Sequence, residues 1–443
     1  MRLPRALAPF RHRSLRLLVA GQVASNVGDA AYAVALPWYV LAVHGGTALL
    51  GTVLVAYGIP RTGLLSVGGW ASDRWGARTV MMASDTARCA GAAALAAVAA
   101  LGPARAALLI PVALVLGAGE GLFLPASYAV LPSVVPDDDL QAANGLTTSA
   151  AQLATLAGPA IGGALVALGS PSVAFALDAV SFAVSAATLA RLRRVRPVPP
   201  AGEPAPAAGE DVTQAAPAAT STFALFRSER VLQVILLLTI TANLGSDGVD
   251  YVALPALAHG PLGAGATGYG LILAAFGAGS LLGALVAGQI RPPRRPGVAG
   301  VLAFQAMAVC ILATPFAGST LGVAGVMVLS GATVSFGNVL CFAAFQRWAP
   351  PALLGRATGV VTLGIFGVYP VSVALGAIFT RDLGIASFFI FSAVTLTAAV
   401  LFGLSQRAWR DFGMPAPRTG GPPPAAEGAG EALAPEAADG PLG

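Results

Sequence analysis

The chain has 443 residues, of which 56% are hydrophobic and only 10% are charged, and its mean hydropathy is +0.77. Soluble proteins carry roughly 25% charged residues, so this composition excludes a water-soluble globular protein and predicts an integral membrane protein. The formal net charge is +5, but the basic residues do not form one dense patch, so no nucleic-acid partner is expected. All of the strongly basic residues are arginines, and alanine, glycine and proline abound, as in proteins of GC-rich genomes such as those of actinobacteria.

Twelve apolar stretches are each long enough for a membrane helix, which needs about 20 residues. No alternating, strand-like pattern competes with them, so the predicted fold class is an all-α integral membrane protein. No cleavage site for a signal peptidase follows the first stretch, which is therefore expected to remain as a helix. The stretches cover approximately residues 17–41, 48–70, 79–101, 105–127, 146–168, 171–190, 231–258, 267–290, 298–316, 319–345, 354–380 and 384–404.

The arginines are strongly biased toward one side of the predicted helices. Because the number of helices is even, both termini lie on one side, and nearly all arginines near helix ends fall on that side. Cytoplasmic loops carry this excess of positive charge, so both termini are predicted to be cytoplasmic. We expect a multi-pass protein of the inner (plasma) membrane, with the lipid bilayer as a partner and a monomer as the oligomeric state.

The composition changes abruptly between the sixth and seventh predicted helices. Residues 197–222 are rich in proline and alanine and poor in large apolar side chains, which is typical of a disordered linker. The predicted organisation is a cytoplasmic N-terminal arm, a six-helix bundle, a cytoplasmic linker, a second six-helix bundle and a disordered cytoplasmic tail. These five parts cover residues 1–16, 17–190, 191–230, 231–404 and 405–443.

The two predicted bundles resemble each other in sequence. The matches pair SNVGDAAYAVALP (25–37) with ANLGSDGVDYVALP (242–255) across one insertion, AYG (56–58) with AFG (275–277), and Gly117 with Gly331. An ordered series of matches indicates two pseudo-symmetric six-helix repeats. Such repeats enclose a site near the midplane of the membrane, so the duplication predicts a transporter.

The stretch GGWASDRWGART, between the second and third helices, places charged residues between two apolar runs. Arg74 and Arg78 can anchor this connection on the cytoplasmic side. Gly69 and Gly76 permit a tight turn and a close helix contact. Asp73 could rest on the positive N-terminal end of a facing helix and hold the cytoplasmic side shut until it is displaced. An ordinary charged loop is the alternative interpretation.

The fifth helix contains AGPAIGGAL, which combines a proline with three glycines. Pro159 removes a backbone donor and is expected to kink the helix. Gly158 and Gly162 are four residues apart and form a small-residue face for close helix packing, with Gly163 beside it. A generic packing motif would explain the same residues.

These two motifs resemble signatures of the major facilitator superfamily. GWASDRWGAR departs from the superfamily's loop signature only at Ala77, where a basic residue is usual, and is similar to it at Gly69, Asp73, Arg74, Gly76 and Arg78. AGPAIGGAL is similar to an element of the superfamily's drug–proton antiporters. The segments GDAAYAVALPWYVL, DTAR, VPDDDLQAANGL and LDAVSFAVSA resemble the branch that contains enterobactin exporters and macrolide efflux proteins. The resemblance implies the twelve-helix major facilitator fold and export driven by protons.

Four charged residues in the first six helices are candidates for proton coupling: Asp29, Arg61, Glu120 and Asp178. An ionisable side chain at membrane depth costs at least about 2.5–3.5 kcal/mol, so a functional role is expected. Asp29 and Glu120 are the best proton carriers, because a carboxyl group withdrawn from water takes up a proton more readily. Arg61 could pair with either acid. A static buried ion pair is the alternative for both acids.

The charged residues of helices 3 and 4 show one departure from the resemblance and one local pair. Many antiporters that the chain resembles carry an arginine on helix 4, which LGAGEGLFLP lacks. Asp85 and Arg88 are three residues apart on helix 3 and are interpreted as a local structural pair.

Helix 7 contains NLGSDGVDY, with two glycines and two acids. Broken backbone is tolerated in a membrane where it lines a cavity, so these polar residues are predicted to face the central cavity. A short outer end in contact with water is the alternative. Aromatic residues on other helices complete the predicted wall, although such stripes also arise from packing. The candidates for the substrate cavity are Asn26, Tyr32, Trp38, Phe123, Tyr128, Asn243, Asp247, Asp250, Tyr251, Phe276 and Phe336.

Nothing in the sequence indicates an enzyme. The three histidines lie outside the spans or at their ends, the three cysteines are far apart, and no nucleotide-binding domain is present, so neither a metal nor a cofactor is expected. Protons and a small molecule are the predicted partners, and acids outnumber arginines among the candidates, which favours a neutral or cationic amphipathic substrate. The alternatives are a dedicated exporter of a siderophore or a self-made antibiotic, an importer of a small solute, and a receptor that does not transport.

Overall fold

The computed structural model describes residues 10–42, 46–102, 106–168, 170–192, 230–290, 293, 295–348 and 364–410. Within these ranges the chain is helical apart from short turns and contains no β-strand. The all-α prediction is therefore confirmed. The predicted linker at 197–222, the start of helix 11 at 354–363 and the tail beyond 410 lie outside the described residues, and the predicted domain boundaries stay predictions.

Six long helices form the first half of the bundle. They are α1 (Arg13–Ala42), α2 (Gly46–Trp75), α3 (Ala77–Ala100), α4 (Ala106–Val130, followed by a 3-10 turn at Leu131–Ser133), α5 (Asp137–Leu168) and α6 (Pro171–Ala190).

Six further helices and a short terminal one form the second half. They are α7 (α-helical over Arg230–Gly248, π-helical over Val249–Ala253 and α-helical over Leu254–His259), α8 (Gly265–Gln289), α9 (Pro296–Ala313, followed by a 3-10 turn at Thr314–Phe316), α10 (Thr320–Trp348), α11 (Tyr369–Asp382), α12 (Ile385–Ser405) and α13 (Arg407–Arg410).

Several helices are longer than the apolar stretches that predicted them. The second helix continues to Trp75 where the prediction ended it at 70, and the fifth begins at Asp137 where the prediction began at 146. Hydropathy identifies the part of a helix that lies in hydrocarbon, whereas the hydrogen-bonded helix continues beyond it. The predicted loop between α2 and α3 is therefore reduced to one non-helical residue, Gly76.

Nine helices in the described part of the chain are long and apolar enough to cross a membrane. The long helices outside this group are α1, α3 and α5. Of these, α1 and α3 carry polar and charged side chains that line an internal cavity.

The predicted repeat is confirmed by equivalent close contacts in the two halves. A Cβ atom at Gly117 on α4 would overlap the carbonyl oxygen of Tyr57 on α2. A Cβ atom at Gly331 on α10 would overlap the carbonyl oxygen of Phe276 on α8. The sequence repeat pairs Gly117 with Gly331 and Tyr57 with Phe276. The α2–α4 and α8–α10 contacts are therefore the same contact, built twice.

A second pair of contacts repeats in the same way. Gly28 on α1 meets the side chain of Ser181 on α6, and Gly245 on α7 meets the side chain of Ser392 on α12. Glycine at these positions lets the two helices of each pair approach closely. The bundle thus consists of two pseudo-symmetric sets of six helices.

The irregular part of α7 coincides with the insertion in the sequence repeat. The segment ANLGSDGVDYVALP has one residue more than its counterpart on α1, and the π-helical turn Val249–Ala253 follows immediately after its second glycine. A π turn holds one more residue than an α turn, so it accommodates the insertion without displacing the ends of the helix. The counterpart, α1, is α-helical throughout.

A serine from α11 bridges two backbone groups of α7 just before this turn. The Ser372 hydroxyl donates to the carbonyl oxygen of Leu244 (2.6 Å) and accepts from the backbone N–H of Gly248 (2.7 Å). Leu244 and Gly248 are four residues apart and would otherwise share a helical hydrogen bond. The buried hydroxyl therefore gives both of these backbone groups a hydrogen-bond partner.

Candidate functional site

The bundle has two faces, which are distinguished by the helices that end there. The terminal face holds the start of α1 and the end of α12. The far face holds the ends of α1 and α7, where Trp38 and His259 stack edge to face with their ring centroids 4.9 Å apart.

The two halves of the bundle are packed tightly near the far face. Gly51 of α2 meets Ala377 of α11, and Gly163 of α5 lies against the backbone of Ala266 and Gly270 at the start of α8. One apolar cluster joins both halves here and includes Leu36, Tyr39, Leu50, Val252, Tyr369 and Val373, all buried. Within the described ranges, buried side chains therefore close the far side of the central region.

Nearer the terminal face, a cavity of about 330 Å³ lies within the first half and is called the N-cavity. Side chains from α1, α3, α4 and α5 line it. Five of the predicted site residues, Asn26, Asp29, Glu120, Phe123 and Tyr128, are among them. Tyr128, at the end of α4, is 73% exposed, so this cavity can be reached from the terminal face.

An ion pair joins α1 to α3 at the N-cavity. Nη2 of Arg88 donates to both carboxylate oxygens of Asp29, at 2.8 and 2.9 Å. The Arg88 side chain is only 4% exposed, whereas that of Asp29 is 42% exposed. The carboxylate therefore faces the cavity, while the guanidinium is enclosed by protein.

Arg88 has further partners that keep it buried and charged. Its Nη1 lies 3.7 Å from Oδ1 of the buried Asp85, and its guanidinium lies over the rings of Phe182 (4.0 Å) and Phe123 (5.4 Å). The predicted local pair of Asp85 and Arg88 is present, but Arg88 also binds Asp29 across the helix interface, which the sequence did not indicate. Sequence spacing reveals partners on one helix, but not which residue of a neighbouring helix lies opposite.

A second ion pair joins α2 to α4. Nη2 of Arg61 lies 3.0 Å from Oε1 of Glu120. The Arg61 guanidinium also lies over the rings of Tyr57, Phe366 and Tyr369, at 5.8, 4.8 and 5.5 Å. Of the two acids that Arg61 could have paired with, the structure selects Glu120. Helix α4 has no arginine of its own, so the positive charge beside it is supplied by Arg61 of α2.

Asp178 lies behind the cavity rather than in its lining. It is 1% exposed on α6, next to Gly28 of α1. The structure therefore separates this candidate from Asp29 and Glu120, which both line the N-cavity.

A second cavity, of about 490 Å³, lies in the other half and is called the C-cavity. Its lining contains four predicted site residues: Asn243, Asp247, Asp250 and Phe276. The sequence did not identify the apolar side chains that form most of its wall, which include Phe304, Met307, Met327 and Phe345. Apolar residues on a membrane helix look alike in sequence, whether they face lipid, a neighbouring helix or a cavity.

The remaining aromatic candidates lie outside the linings of these two cavities. The ring of Tyr32 packs on Phe175 (5.9 Å), and that of Tyr251 packs on Tyr369 (5.4 Å). Trp38 belongs to the far-face contact with His259. Phe336 is half-buried on α10.

The connection between α2 and α3 differs from its prediction in two respects. Gly76 adopts a positive φ of 84°, as a tight turn requires. A Cβ atom at Gly69 would meet only open space, so the predicted close contact at Gly69 is wrong; Gly68 makes it instead, against Pro125 of α4. Asp73 is exposed and makes no hydrogen bond or ion pair within the described ranges, so in this conformation it rests on no facing helix.

The arginines of this connection have different surroundings. Arg78 donates from Nε to the carbonyl oxygen of Leu189 (2.7 Å) and from Nη2 to that of Ala190 (2.8 Å). It therefore caps the end of α6, where a positive charge is favourable. Arg74 is exposed in the last turn of α2.

The glycines of the fifth-helix motif make the close contacts that were predicted. A Cβ atom at Gly158 would overlap the side chain of Ala30, and one at Gly162 would lie 2.6 Å from Cα of Ala31. Gly163 instead faces α8 of the other half. The helix continues through Pro159, whose side chain lies outside the described part of the structure.

An electrostatic cluster ties the start of α1 to that of α5 at the terminal face. Oδ2 of Asp139 lies 2.8 Å from Nε2 of His12 and accepts from Nη2 of Arg11 at 2.9 Å. These contacts, with His12 first, lower the pKa of the Asp139 carboxyl. Within the described residues, no group of three or more His, Cys, Asp or Glu side chains is arranged to hold a metal ion.

Comparison with known proteins identifies the family of the chain. A family profile described as transmembrane secretion effector matches residues 5–411. A comparison with curated proteins finds no significant match.

Solved structures of transporters share the fold. The chain is similar to the nucleoside transporter NupG (TM-score 0.64, 14% identity, covering 88% of this chain and 98% of that one) and to a D-xylose–proton symporter (0.66, 16%, 88% and 96%). It is also similar to the inward-open xylose transporter XylE from E. coli (0.63, 14%, 87% and 94%). The twelve-helix arrangement is therefore that of the major facilitator fold. With the family match over almost its whole length, the chain belongs to the transmembrane secretion effector family and is a membrane transporter of the major facilitator superfamily.

Proposed function

We propose that the chain is a proton-coupled exporter of small amphipathic compounds, such as drugs or secondary metabolites, in the plasma membrane. It works by alternating access, in which the two six-helix halves rock about the central cavities. The observation that carries the proposal is the pair of partly exposed carboxylates in the N-cavity, Asp29 and Glu120, each bound to an arginine from a different helix.

The accessible side of the N-cavity is compatible with export. The far face is sealed, and Tyr128 is exposed toward the terminal face. The arginine bias predicts that the terminal face is cytoplasmic. In this conformation the N-cavity is therefore accessible from the cytoplasm, the side on which an exporter takes up its substrate, although an importer also passes through such a state.

The geometry around Asp29 supports a role in proton coupling. Protonation of Asp29 neutralises its carboxylate and loosens its hold on Arg88. A buried charge that loses its partner is strongly destabilising, by about 3–5 kcal/mol. Arg88 avoids this penalty because Asp85 lies on its other side, 3.7 Å away. Asp29 can therefore exchange a proton with the cavity while the buried guanidinium remains paired.

The family also supports export over import. The matching profile is described as a secretion effector, and the fifth-helix motif resembles that of drug–proton antiporters. The structurally similar proteins include a proton symporter, so the fold is compatible with either direction. Dedicated export of one siderophore or self-made antibiotic is the alternative, and a biosynthetic gene cluster beside the gene would favour it.

The proposal is tested in an efflux-deficient bacterial host. Wild type, Asp29→Asn and Asp382→Asn are expressed, and both the susceptibility to a panel of amphipathic antibiotics and the efflux of ethidium are measured. Asp382 is a matched control because it is an exposed acid, paired with Arg381 at the end of α11 (2.6 Å). Wild type and Asp382→Asn should lower ethidium accumulation, and Asp29→Asn or a proton uncoupler should abolish this difference. Export that survives both the uncoupler and Asp29→Asn would refute proton coupling.

A further inference from the structure

We infer that the C-cavity binds a lipophilic organic cation and that Asp250, with Asp247 beside it, is the counter-ion. The inference rests on the proposed function. It names the class of compound that is transported and the half of the bundle that binds it. It assigns the N-cavity to protons and the C-cavity to the transported compound.

The wall of the C-cavity fits an aromatic or aliphatic ligand. It presents the side chains of Phe276, Phe304, Met307, Met327 and Phe345 around a volume of about 490 Å³, which lies in the range of small-molecule sites. Methionine side chains are flexible and polarisable, so they adapt to ligands of different shape. Aromatic faces attract cations as well as apolar groups.

The acids of the C-cavity lack the arginine partners that Asp29 and Glu120 have in the N-cavity. Within the described residues, the carboxylates of Asp247 and Asp250 make no hydrogen bond or ion pair, and no residue lining the cavity is basic. Arg61 acts electrostatically on Asp247, whereas no basic group of the described part acts on Asp250. Asp250 is therefore the acid whose charge is least compensated, and a bound cation would compensate it.

Asp247 and Asp250 line one cavity from the two sides of the junction between the α-helical and π-helical parts of α7. Residues three apart share a helix face, and Asp247 and Asp250 both line the C-cavity across the junction at Gly248. Asp250 belongs to the π turn itself. The inserted residue that distinguishes α7 from α1 therefore lies within the segment that presents the counter-ion.

The N-cavity is less suited to an organic cation. Its two cavity-facing carboxylates are each bound to an arginine, Asp29 to Arg88 and Glu120 to Arg61. A cationic ligand would have to displace a guanidinium from its carboxylate. The N-cavity is also smaller, at about 330 Å³.

The test measures binding directly, without transport. Full-length wild type and the variants Asp250→Asn, Asp247→Asn, Asp29→Asn and Asp382→Asn are placed in lipid nanodiscs, and the binding of tetraphenylphosphonium is titrated. Triphenylphosphine oxide serves as a neutral probe of similar shape. Phe276→Ala is added to probe the wall, and size-exclusion chromatography with circular dichroism confirms that each variant is folded.

We expect Asp250→Asn to weaken tetraphenylphosphonium binding by about tenfold or more, because a desolvated charge pair is lost. Asp247→Asn should have a smaller effect, since Arg61 already offsets its charge. Asp382→Asn should bind as wild type does, Asp29→Asn should lose less affinity than Asp250→Asn, and the neutral probe should not distinguish Asp250→Asn from wild type. Phe276→Ala should weaken both probes.

Three results would overturn the inference: no binding to wild type, unchanged binding to folded Asp250→Asn, or an equal loss in Asp29→Asn. The inference and the proposed function can fail separately. Proton-coupled export that depends on Asp29, with binding indifferent to Asp250, would leave only the proposed function standing. Binding that depends on Asp250, without proton-coupled export, would leave only the cation pocket.

Discussion

The N-cavity and the C-cavity are built on equivalent helices but carry different chemistry. In both halves, two helices meet at a glycine that faces a backbone carbonyl, Gly117 on Tyr57 and Gly331 on Phe276. The first half places two acid–arginine pairs on this scaffold, whereas the second half places two acids beside a wall of phenylalanine and methionine. The backbone contacts of a duplicated bundle thus remain alike while the cavity side chains diverge.

The physical reason lies in what each class of residue contacts. A glycine at a helix crossing is constrained by the neighbouring backbone, and any added atom must displace it. A cavity side chain contacts solvent or ligand over part of its surface, so its replacement leaves the crossing intact. Divergence is therefore expected in the cavities before it reaches the crossings.

The largest effect is expected from removal of the buried cation in the first half. Arg88→Ala leaves Asp85 and Asp29 without their guanidinium and should lower the free energy of unfolding by about 3–5 kcal/mol. Thermal unfolding of the purified protein measures this, with the exposed Arg381→Ala as the matched control. Combining Arg88→Ala with Asp29→Asn and Asp85→Asn should recover part of the loss. A melting temperature of Arg88→Ala equal to that of Arg381→Ala would contradict the role of Arg88.

Intermediate and equal effects are expected at the two equivalent helix crossings. Gly117→Ala and Gly331→Ala each force a methyl group onto a backbone carbonyl and should destabilise the fold by about 1–3 kcal/mol. Gly69→Ala is the control, because a Cβ atom there meets only open space. Thermal unfolding of the three variants provides the comparison. If only one of the two crossings is sensitive, then the halves are not equivalent in their packing.

The smallest effect is expected from loss of the serine contact beside the π turn, which α7 has and α1 lacks. Ser372→Ala removes the hydroxyl that joins Gly248 N–H to the Leu244 carbonyl, and the loss should be about 0.5–1.5 kcal/mol. Hydrogen exchange, followed by mass spectrometry, should show faster exchange near the π turn of α7 and no change in α1. Ser405→Ala, which removes an exposed hydroxyl at the end of α12, is the control. Unchanged exchange in α7 would show that the serine does not hold this turn.

The fold could be predicted well because two of its features are visible along the chain. A membrane helix is a continuous apolar stretch, and a duplication is a series of matches in the same order. Apolar length revealed the helices, and the paired motifs revealed the duplication. Helix ends were less well predicted: α2 and α5 extend several residues beyond their apolar parts. The tight turn at Gly76 was anticipated, but Gly69 was assigned a contact that Gly68 makes. These neighbours lie about 100° apart on a helix, and sequence alone does not reveal which one faces α4.

Within the candidate site, residue type and depth could be predicted, but pairing could not. Asp29, Glu120, Asp247 and Asp250 were all singled out as acids in apolar surroundings, and all four line a cavity. The role of Arg88 in the site was not predicted, because Asp85 on the same helix was enough to explain its buried charge. Trp38 was assigned to the cavity but stacks on His259 at the far face.

The amino-acid sequence by itself determined the membrane environment, the all-helical class and the duplicated architecture, since each follows from composition or from spacing along the chain. Only the tertiary structure decided that Arg88 binds Asp29, that Arg61 binds Glu120, and that the acids of α7 face an apolar cavity without an arginine. These relations depend on the rotation of each helix and on which helices become neighbours. Both are set by packing among residues far apart in the chain, and no local pattern encodes them.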